Sequence, residues 1–345
     1  MKKLTIFLST MMLLLVGFLL PTKVDAAADK SYSVQAVLPD NQIDQNESYF
    51  DLKVEPKKEQ TLKVMIINTG SKPIKVAAEV NNAYTADSGV IGYDKYNVKL
   101  YKNSNPSLTS LVDGKRKTSV NLKVGQAKTV SFVVKSPPEE YTGIILGGVT
   151  TTANVSPTKS KNINIKNQVR YVKGVVLRSK DDGVVPDMHL TNAFPKAVAG
   201  NSGIAYTLDN TAPININEVT LKAKITHNDK TSDYNAKNLQ IAPNSKFNYF
   251  IPVKDLNSGK YKAKITITSK AGYKKTFTRT ITVSKRSADA IESQQNEAEG
   301  RHTNQWIIII IGIVVLIFVV LWMYLYYSQR NKTTGTHGKK SRSRK

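Results

Sequence analysis

The sequence predicts an all-β ectodomain of two tandem immunoglobulin-like β-sandwich domains followed by one C-terminal transmembrane helix. Three observations predict it. Apolar and polar residues alternate with period two from Tyr32 to Val283, turn residues interrupt that alternation at short intervals, and one uncharged run, Trp306 to Leu325, stands near the C-terminus.

The elements follow in chain order. Lys2 and Lys3 precede an apolar stretch, Leu4 to Leu20, which ends near small residues at Val24-Asp25-Ala26 or Ala26-Ala27-Ala28. This is the pattern of a secretory signal peptide, placed at residues 1–28; left uncleaved, it would give the chain two spans.

Strands come next. Val219, Leu221, Ala223 and Ile225 alternate with Thr220, Lys222 and Lys224, and Tyr261, Ala263, Ile265 and Ile267 alternate with Lys262, Lys264 and Thr266. Successive side chains on a strand point to opposite faces, so such runs are half-buried antiparallel strands. Asn68-Thr69-Gly70, Asp113-Gly114, Ser136-Pro137-Pro138, Asp209-Asn210-Thr211 and Asn257-Ser258-Gly259 supply the turns between strands. The first sandwich is placed at residues 29–155 and the second at 156–284, with the boundary in the small, polar stretch Thr151 to Lys161. The strand from Ile163 to Leu177 has an alternative place, completing the first sandwich.

A duplication supports two units. Ile67 runs into Asn68-Thr69, a turn and Pro73-Ile74, and Leu208 runs into Asn210-Thr211, a turn and Pro213-Ile214. From Asn68 to Gln126 is 58 positions, whereas from Asn210 to Asn244 is 34. The first unit therefore carries an insertion, around Asn81 to Lys117, rich in tyrosine and asparagine. Insertions in a sandwich fall in loops, where a rigid scaffold presents its recognition groups. Tyr84, Tyr93, Tyr96 and Tyr101 are candidates to stack on sugar rings, with Asn81, Asn82 and Asn97 as hydrogen-bonding partners for hydroxyls or peptide amides. The alternative is that these tyrosines pack on extra edge strands.

After Val283 the alternation stops. Residues 285–305 read as a stalk, 306–327 as the transmembrane helix and 328–345 as a basic cytoplasmic tail. About twenty helical residues match a hydrocarbon core of roughly 30 Å. Trp306 at one end and Trp322, Tyr324, Tyr326 and Tyr327 at the other suit the headgroup layers. The tail carries Arg330, Lys332, Lys339, Lys340, Arg342, Arg344 and Lys345 and no acid, which places it inside. The expected localisation is the cell membrane, as a single-pass type I protein whose ectodomain faces the cell wall.

Composition narrows the chemistry. There is no cysteine, so an exported chain must be held by packing alone. The formal charge of +24 is spread along the chain and favours anionic polymers such as teichoic acids, lipid headgroups or polyanionic glycans. No basic helix or aromatic-basic motif points to nucleic acid. His189, His227, His302 and His337 are dispersed, and no His/Cys metal set, nucleophile elbow or phosphate loop is present in the sequence. Glu139-Glu140 and Asp181-Asp182 are adjacent carboxylates whose side chains on extended backbone face opposite ways. Asp40, Asp44, Glu47 and Asp51 form a loose acidic cluster without the glycine-containing loop of a calcium site. No enzyme activity, cofactor or metal is expected.

Several phrases resemble one family. Tyr49-Phe50-Asp51-Leu52-Lys53-Val54-Glu55-Pro56, Gln60-Thr61-Leu62-Lys63-Val64, Ile67-Asn68-Thr69, Asn81-Asn82-Ala83 and Gly89-Val90-Ile91 are similar to the first domain of the WxL-interacting proteins of Gram-positive bacteria. Tyr141-Thr142-Gly143-Ile144-Ile145-Leu146-Gly147-Gly148 closes that domain in the family's manner, and Asn210-Thr211-Ala212-Pro213 onward resembles the second. The resemblance implies a non-enzymatic cell-surface scaffold or adhesin. Its first domain would bind peptidoglycan, and its second a WxL-domain surface protein or a host extracellular factor. Tyr141, Gly147 and Gly148 join the ligand-binding candidates on this resemblance, although the two glycines equally suit a bulge or close backbone approach. The alternative function is a chaperone-like, membrane-anchored assembly factor that lends an edge strand to a secreted partner.

Overall fold

The computed structural model describes residues 31–101, 105–160, 163–180 and 183–330. The expected signal peptide, the tail beyond Arg330 and the Asp181-Asp182 pair lie outside the described residues.

The chain is mostly β-strand. In order the strands are β1 Ser33–Val37, β2 Phe50–Lys53, β3 Glu59–Ile67, β4 Ile74–Asn82, β5 Tyr84–Thr85 and β6 Ile91–Gly92. After a four-residue helix, α1 Leu108–Leu111, come β7 Val112–Asp113, β8 Lys117–Leu122, β9 Ala127–Lys135, β10 Ile144–Ser160 and β11 Ile163–Arg178. Then follow β12 Met188–Val198, β13 Asn201–Asn210, β14 Ile216–His227, β15 Lys230–Ile241, β16 Ser245–Pro252, β17 Gly259–Ser269 and β18 Lys274–Val283, with a long helix, α2 Lys285–Arg330, at the end.

Two cores form, each fed by two sheets. The first lies between a four-stranded sheet, β1-β3-β9-β7, and a five-stranded sheet, β2-β11-β10-β4-β8. The second lies between a three-stranded sheet, β12-β13-β16, and a four-stranded sheet, β15-β14-β17-β18. Period-two alternation drives this arrangement. In β14, Val219, Leu221, Ala223 and Ile225 are buried while Lys222 and Lys224 are exposed, and in β17 Tyr261, Ala263, Ile265 and Ile267 are buried between exposed lysines. Burial of these apolar faces is the main stabilising term, at about 25 cal/mol per Å².

β11 belongs to the first sheet pair. It runs antiparallel to β10 from Ile144↔Arg178 to Ser160↔Ile163, with one register shift between Val155 and Thr158, and parallel to β2. The boundary expected at 155/156 therefore falls inside the β10–β11 hairpin, and the chain passes from one core to the other between Arg178 and Met188. The sheet order follows the alternative place given to the strand from Ile163 to Leu177, since alternation on both sides of a polar hairpin tip looks the same as alternation on both sides of a linker.

The duplication is present at the level of hydrogen bonds. The Asn68 amide donates to the carbonyls of Lys72 at 2.9 Å and Leu122 at 3.3 Å, and its oxygen accepts from Gly70 N at 3.0 Å. The Asn210 amide donates to Ile214 at 2.8 Å and Ala242 at 3.0 Å, and its oxygen accepts from Ala212 N at 3.3 Å. Each asparagine thus ties its own turn to the end of the strand opposite, next to Gly125 (φ 71°) or Asn244 (φ 51°). These are left-handed positions that glycine and asparagine tolerate best.

The domains touch directly. A third apolar cluster joins Ala83, Ile144, Leu146 and Val176 of the first domain to Ala242 of the second, with Tyr49, Ile91, Tyr93 and Ile214 packed around it. Gly143 sits at φ 76° where its N-terminal neighbours turn toward Pro213, and a Cβ there would collide with the Pro213 carbonyl. The next residue, Ile144, donates its N–H to that carbonyl at 2.7 Å.

The stalk region opens α2. Its first turns pack on the second core through Ala288 and Ile291, and Gln295 Nε2 donates to the Gly200 carbonyl at 3.2 Å. Among the described residues no helix is long and apolar enough to cross a membrane. The apolar part of α2 whose side chains are described runs over residues 310–323, with exposures up to 68% at Phe318.

Candidate functional site

The insertion folds back on both domains. After β4 the hairpin β5–β6 turns at Gly89, and the segment that follows crosses the outer face of the five-stranded sheet. The Tyr93 carbonyl accepts from Asn81 Nδ2 at 2.9 Å and Thr150 Oγ1 at 2.7 Å, which fixes the crossing point. Beyond it, alternate positions of four adjacent strands form an open polar cleft of about 490 Å³. Lys75, Ala77 and Glu79 come from β4, Lys117 from β8, Thr152 and Asn154 from β10, and Gln168 and Arg170 from β11. The register places Thr152 opposite both Ala77 and Arg170, and Asn154 opposite Gln168.

The cleft is organised by hydrogen bonds and ion pairs. Gln168 Nε2 donates to Asn154 Oδ1 at 3.0 Å, and Lys117 meets Glu79 at 3.2 Å. At one end Arg170 donates to Asp94 at 2.8 Å, and the Tyr84 hydroxyl donates to the same carboxylate at 2.6 Å, with Lys95 Nζ 4.1 Å from the Tyr84 ring centroid. The Tyr84 hydroxyl bond, helped by Arg170 and Lys95, holds the Asp94 carboxyl below the usual carboxylate range. Burial, then Asp94, pushes the Tyr84 hydroxyl up to about 12. Near the start of β8 the Arg116 guanidinium lies 4.0 Å from the Tyr96 ring centroid and donates to the Tyr96 and Val80 carbonyls at 3.3 Å each. The arrangement offers cations, amides and hydroxyls on a stiff sheet, bordered by aromatic rings. This is hydrogen-bonding and charge recognition.

The candidates named from sequence divide by location. Tyr84 and Tyr96 border the cleft, and Tyr96 is 40% exposed. Tyr101, 41% exposed, donates its N–H to the Asn244 carbonyl at 2.6 Å across the domain boundary. Asn81 and Asn82 are buried, and the Asn82 oxygen accepts the N–H of Thr109 in α1 at 2.9 Å, so both amides serve the insertion's own backbone. Tyr93 packs against Gly148, and burial raises its hydroxyl pKa. Tyr141 is buried, with its hydroxyl pKa likewise pushed up by burial. Gly147 and Gly148 lie inside β10, where a Cβ on Gly147 would strike the Asn81 carbonyl and Leu108, and one on Gly148 would come within 2.9 Å of Val172 and 3.1 Å of Tyr93. Close approach accounts for both glycines.

Sequence reasoning missed Lys75, Lys117, Thr152, Asn154, Gln168 and Arg170. Thr152 and Asn154 were hidden in the stretch Thr151 to Lys161 taken for a linker, whereas Lys75, Lys117, Gln168 and Arg170 lie outside it, on strands whose neighbours only the sheet order reveals. Three of the carboxylates set aside earlier have structural partners: Arg178 forks onto Asp51 at 2.7 and 3.2 Å, Asp44 Oδ1 accepts from Asn46 N at 2.9 Å, and Glu140 meets Lys180 at 3.2 Å. Among the described residues no group of His, Cys, Asp and Glu is placed to hold a metal ion.

Comparison with known proteins adds two family matches. Residues 32–153 match the model for the WxL Interacting Protein peptidoglycan binding domain, and residues 160–293 the model for the WxL Interacting Protein host binding domain. No curated protein sequence matches the chain. Among solved structures, similar ones include the E. coli chaperone DraB (14% identity, 74% of this chain and 96% of that one, TM-score 0.27) and the YadV chaperone (10% identity, 73% and 100%, TM-score 0.27). The Salmonella enterica SafA pilin in complex with the SafB chaperone is another (10% identity, 67% and 98%, TM-score 0.25). At these scores the structural likenesses carry no argument about function.

Proposed function

The chain belongs to the family of WxL-interacting proteins, and from that premise we propose that it is a non-enzymatic cell-surface scaffold or adhesin. The first domain, through the cleft between Lys75 and Arg170, grips peptidoglycan. The second presents a face to a WxL-domain surface protein or a host factor. One observation carries this reading: Lys75, Glu79, Lys117 and Thr152 of the cleft lie within the residues matched to a peptidoglycan-binding domain, Asn154 lies one residue past them, and Gln168 and Arg170, from the stretch matched to the host-binding model, complete the cleft on the same sheet. Peptidoglycan offers carboxylates to Lys75, Lys117 and Arg170, and amides and hydroxyls to Thr152, Asn154 and Gln168. Each sheet pair is assigned to the immunoglobulin-like class, an assignment supported by seven antiparallel strands, three against four, in the second domain.

We further propose that the protein is a single-pass type I protein of the cell membrane, with the sequence run Trp306 to Leu325 as its anchor. The support is the uncharged run from Trp306 to Leu325 inside one continuous helix, and the exposure of most residues from 310 to 323, which leaves apolar surface that lipid would cover. A reporter fused after Lys345 that proved active outside the cell would reverse this topology.

A second reading, a chaperone-like assembly factor acting by strand addition, draws on β1. It is an edge strand, Ser33 to Val37, with no charged residue, and uncharged edges accept foreign strands most readily. The test that separates the readings is calorimetric titration of soluble muropeptides into the detergent-solubilised full chain. The scaffold reading expects binding that Arg170→Ala with Lys117→Ala weakens about tenfold. Binding unchanged by that double variant, or no binding at all, removes the cleft from the account and leaves strand addition the better reading.

A further inference from the structure

The positive charge that reads as dispersed along the sequence is gathered by the fold. On the outer face of the four-stranded sheet of the second domain, Lys222 and Lys224 of β14 and Lys260, Lys262 and Lys264 of β17 all point away from the core, because the residues between them are buried. The register sets Lys224 directly opposite Lys264, a like-charge cross-strand pair that a sheet by itself disfavours. Asp233 meets Lys224 at 2.9 Å, and among the described residues no ion pair joins Lys222, Lys260, Lys262, Lys264 or Lys274. The first domain's five-stranded sheet differs: there Lys117, Arg170 and Arg178 each meet a carboxylate, on Glu79, Asp94 and Asp51. Lysines 222, 224, 264 and 274, with Asp233, Thr266 and Thr268, line a shallow trough of about 570 Å³.

We propose that this trough docks a linear phosphodiester polymer carried by peptidoglycan, the chemistry of a wall teichoic acid. Charge complementarity is the first argument, since a row of ammonium groups with one carboxylate, Asp233, against it raises the local concentration of a polyanion. The chemistry of the row is the second. Lysine is a flexible point charge that reads charge density, unlike the arginine fork that reads one defined group. Along β17, Lys260, Lys262 and Lys264 recur every second residue, about 7 Å apart, and lead into the trough at Lys264, so a chain with one monoanion per repeat meets successive cations. Threonine hydroxyls between them bond phosphate oxygens or polyol hydroxyls. Position supplies the third argument, and this one rests on the peptidoglycan-binding reading of the first domain. The two domains are joined by buried contacts, so a first domain seated on the glycan strand holds the lysine face beside polymers attached to that strand.

The test uses the detergent-solubilised full chain and three soluble probes at equal anion concentration: poly(glycerol phosphate), heparin as a sulfated glycan, and phosphatidylglycerol vesicles. The proposal expects the phosphodiester polymer to bind more tightly than the other two. It expects Lys222→Gln, Lys224→Gln, Lys262→Gln and Lys264→Gln together to weaken that binding tenfold or more, about what loss of several phosphate contacts produces. A charge-matched control, Lys63→Gln, Lys72→Gln, Lys123→Gln and Lys128→Gln on the first domain, keeps it. Equal loss in the control, or equal or tighter binding of heparin or vesicles, overturns the proposal. Retention on sacculi stripped of teichoic acid reads the first domain separately: if the wild type is lost there yet binds the polymer, the peptidoglycan reading falls and the lysine trough stands.

Discussion

The hydroxyls of Thr85 and Ser245 lie 2.6 Å apart across the boundary between the two domains, although 160 positions separate them in sequence. Thr85 Oγ1 also accepts the Ala242 N–H at 2.9 Å, and Ser245 Oγ donates to the Ala242 carbonyl at 2.8 Å. Around this buried knot the insertion reaches further into the second domain. Asn248 N donates to Asp87 at 2.9 Å and Gln240 N to the Gly89 carbonyl at 2.8 Å. The insertion thus does two jobs, bordering the cleft of one domain and clamping the other.

Replacing Thr85 by Val keeps the volume and removes the hydroxyl, leaving the Ala242 N–H buried without a partner. The expected cost is about 1–3 kcal/mol. Thermal unfolding should show a lower Tm, and limited proteolysis should cut between Arg178 and Met188 faster than in the wild type. An unchanged Tm with unchanged proteolysis would show that the clamp does not depend on this bond.

Asn68→Ala and Asn210→Ala should be similarly damaging, since each removes an amide that closes the same turn in its own domain. Each substitution orphans several backbone groups and should cost about 2–4 kcal/mol. Urea titration reads it as a lower midpoint, and a large difference between the two variants would contradict their equivalence.

This pairing shows how much the sequence could tell. Alternation located β14 and β17, because a half-buried strand needs nothing but its own residues to declare its face. The Asn68 and Asn210 turns were legible for the same reason. What the insertion touches was not, since Gly89 and Tyr101 meet partners more than a hundred residues away through backbone groups that every residue possesses, and the Asp87 carboxylate accepts from a backbone N–H equally distant in sequence. Only two of the named candidates, Tyr84 and Tyr96, border the cleft, because a polar residue facing a ligand and one bonding a nearby backbone carbonyl, such as Asn81, look alike in sequence.

Leu108 marks the limit of what can be removed from the insertion. It is fully buried in the first core from the four-residue helix α1, capped by Ser107. Leu108→Ala should cost about 2–5 kcal/mol, measured by chemical denaturation. Deleting residues 81–117 as a block should therefore yield an unfolded chain. A folded product with a near-native midpoint would contradict this.

Asp209 ties stability to pH. It is 1% exposed with one carboxylate oxygen unpartnered, and burial raises its pKa above the ordinary carboxylate range, offset in part by Lys246 at 3.8 Å and by Thr191. An acid raised in the folded state binds more protons folded than unfolded, so its cost is absent below the unfolded pKa and complete above the folded one. Asp209→Asn should thus be more stable than the wild type at neutral pH, with the gain vanishing as pH falls through the carboxylate range. A gain that persists at low pH would assign the effect to something other than this charge.

The most direct test of the central claim, that the first domain recognises peptidoglycan, is co-sedimentation of the solubilised full chain with sacculi. It should be run before and after teichoic acid is stripped, and across a salt series. Retention on stripped sacculi at high salt, lost in the Arg170→Ala, Lys117→Ala double variant, is the predicted result. Release of the wild type on stripping or with salt would contradict the claim and leave the lysine face as the chain's hold on the wall.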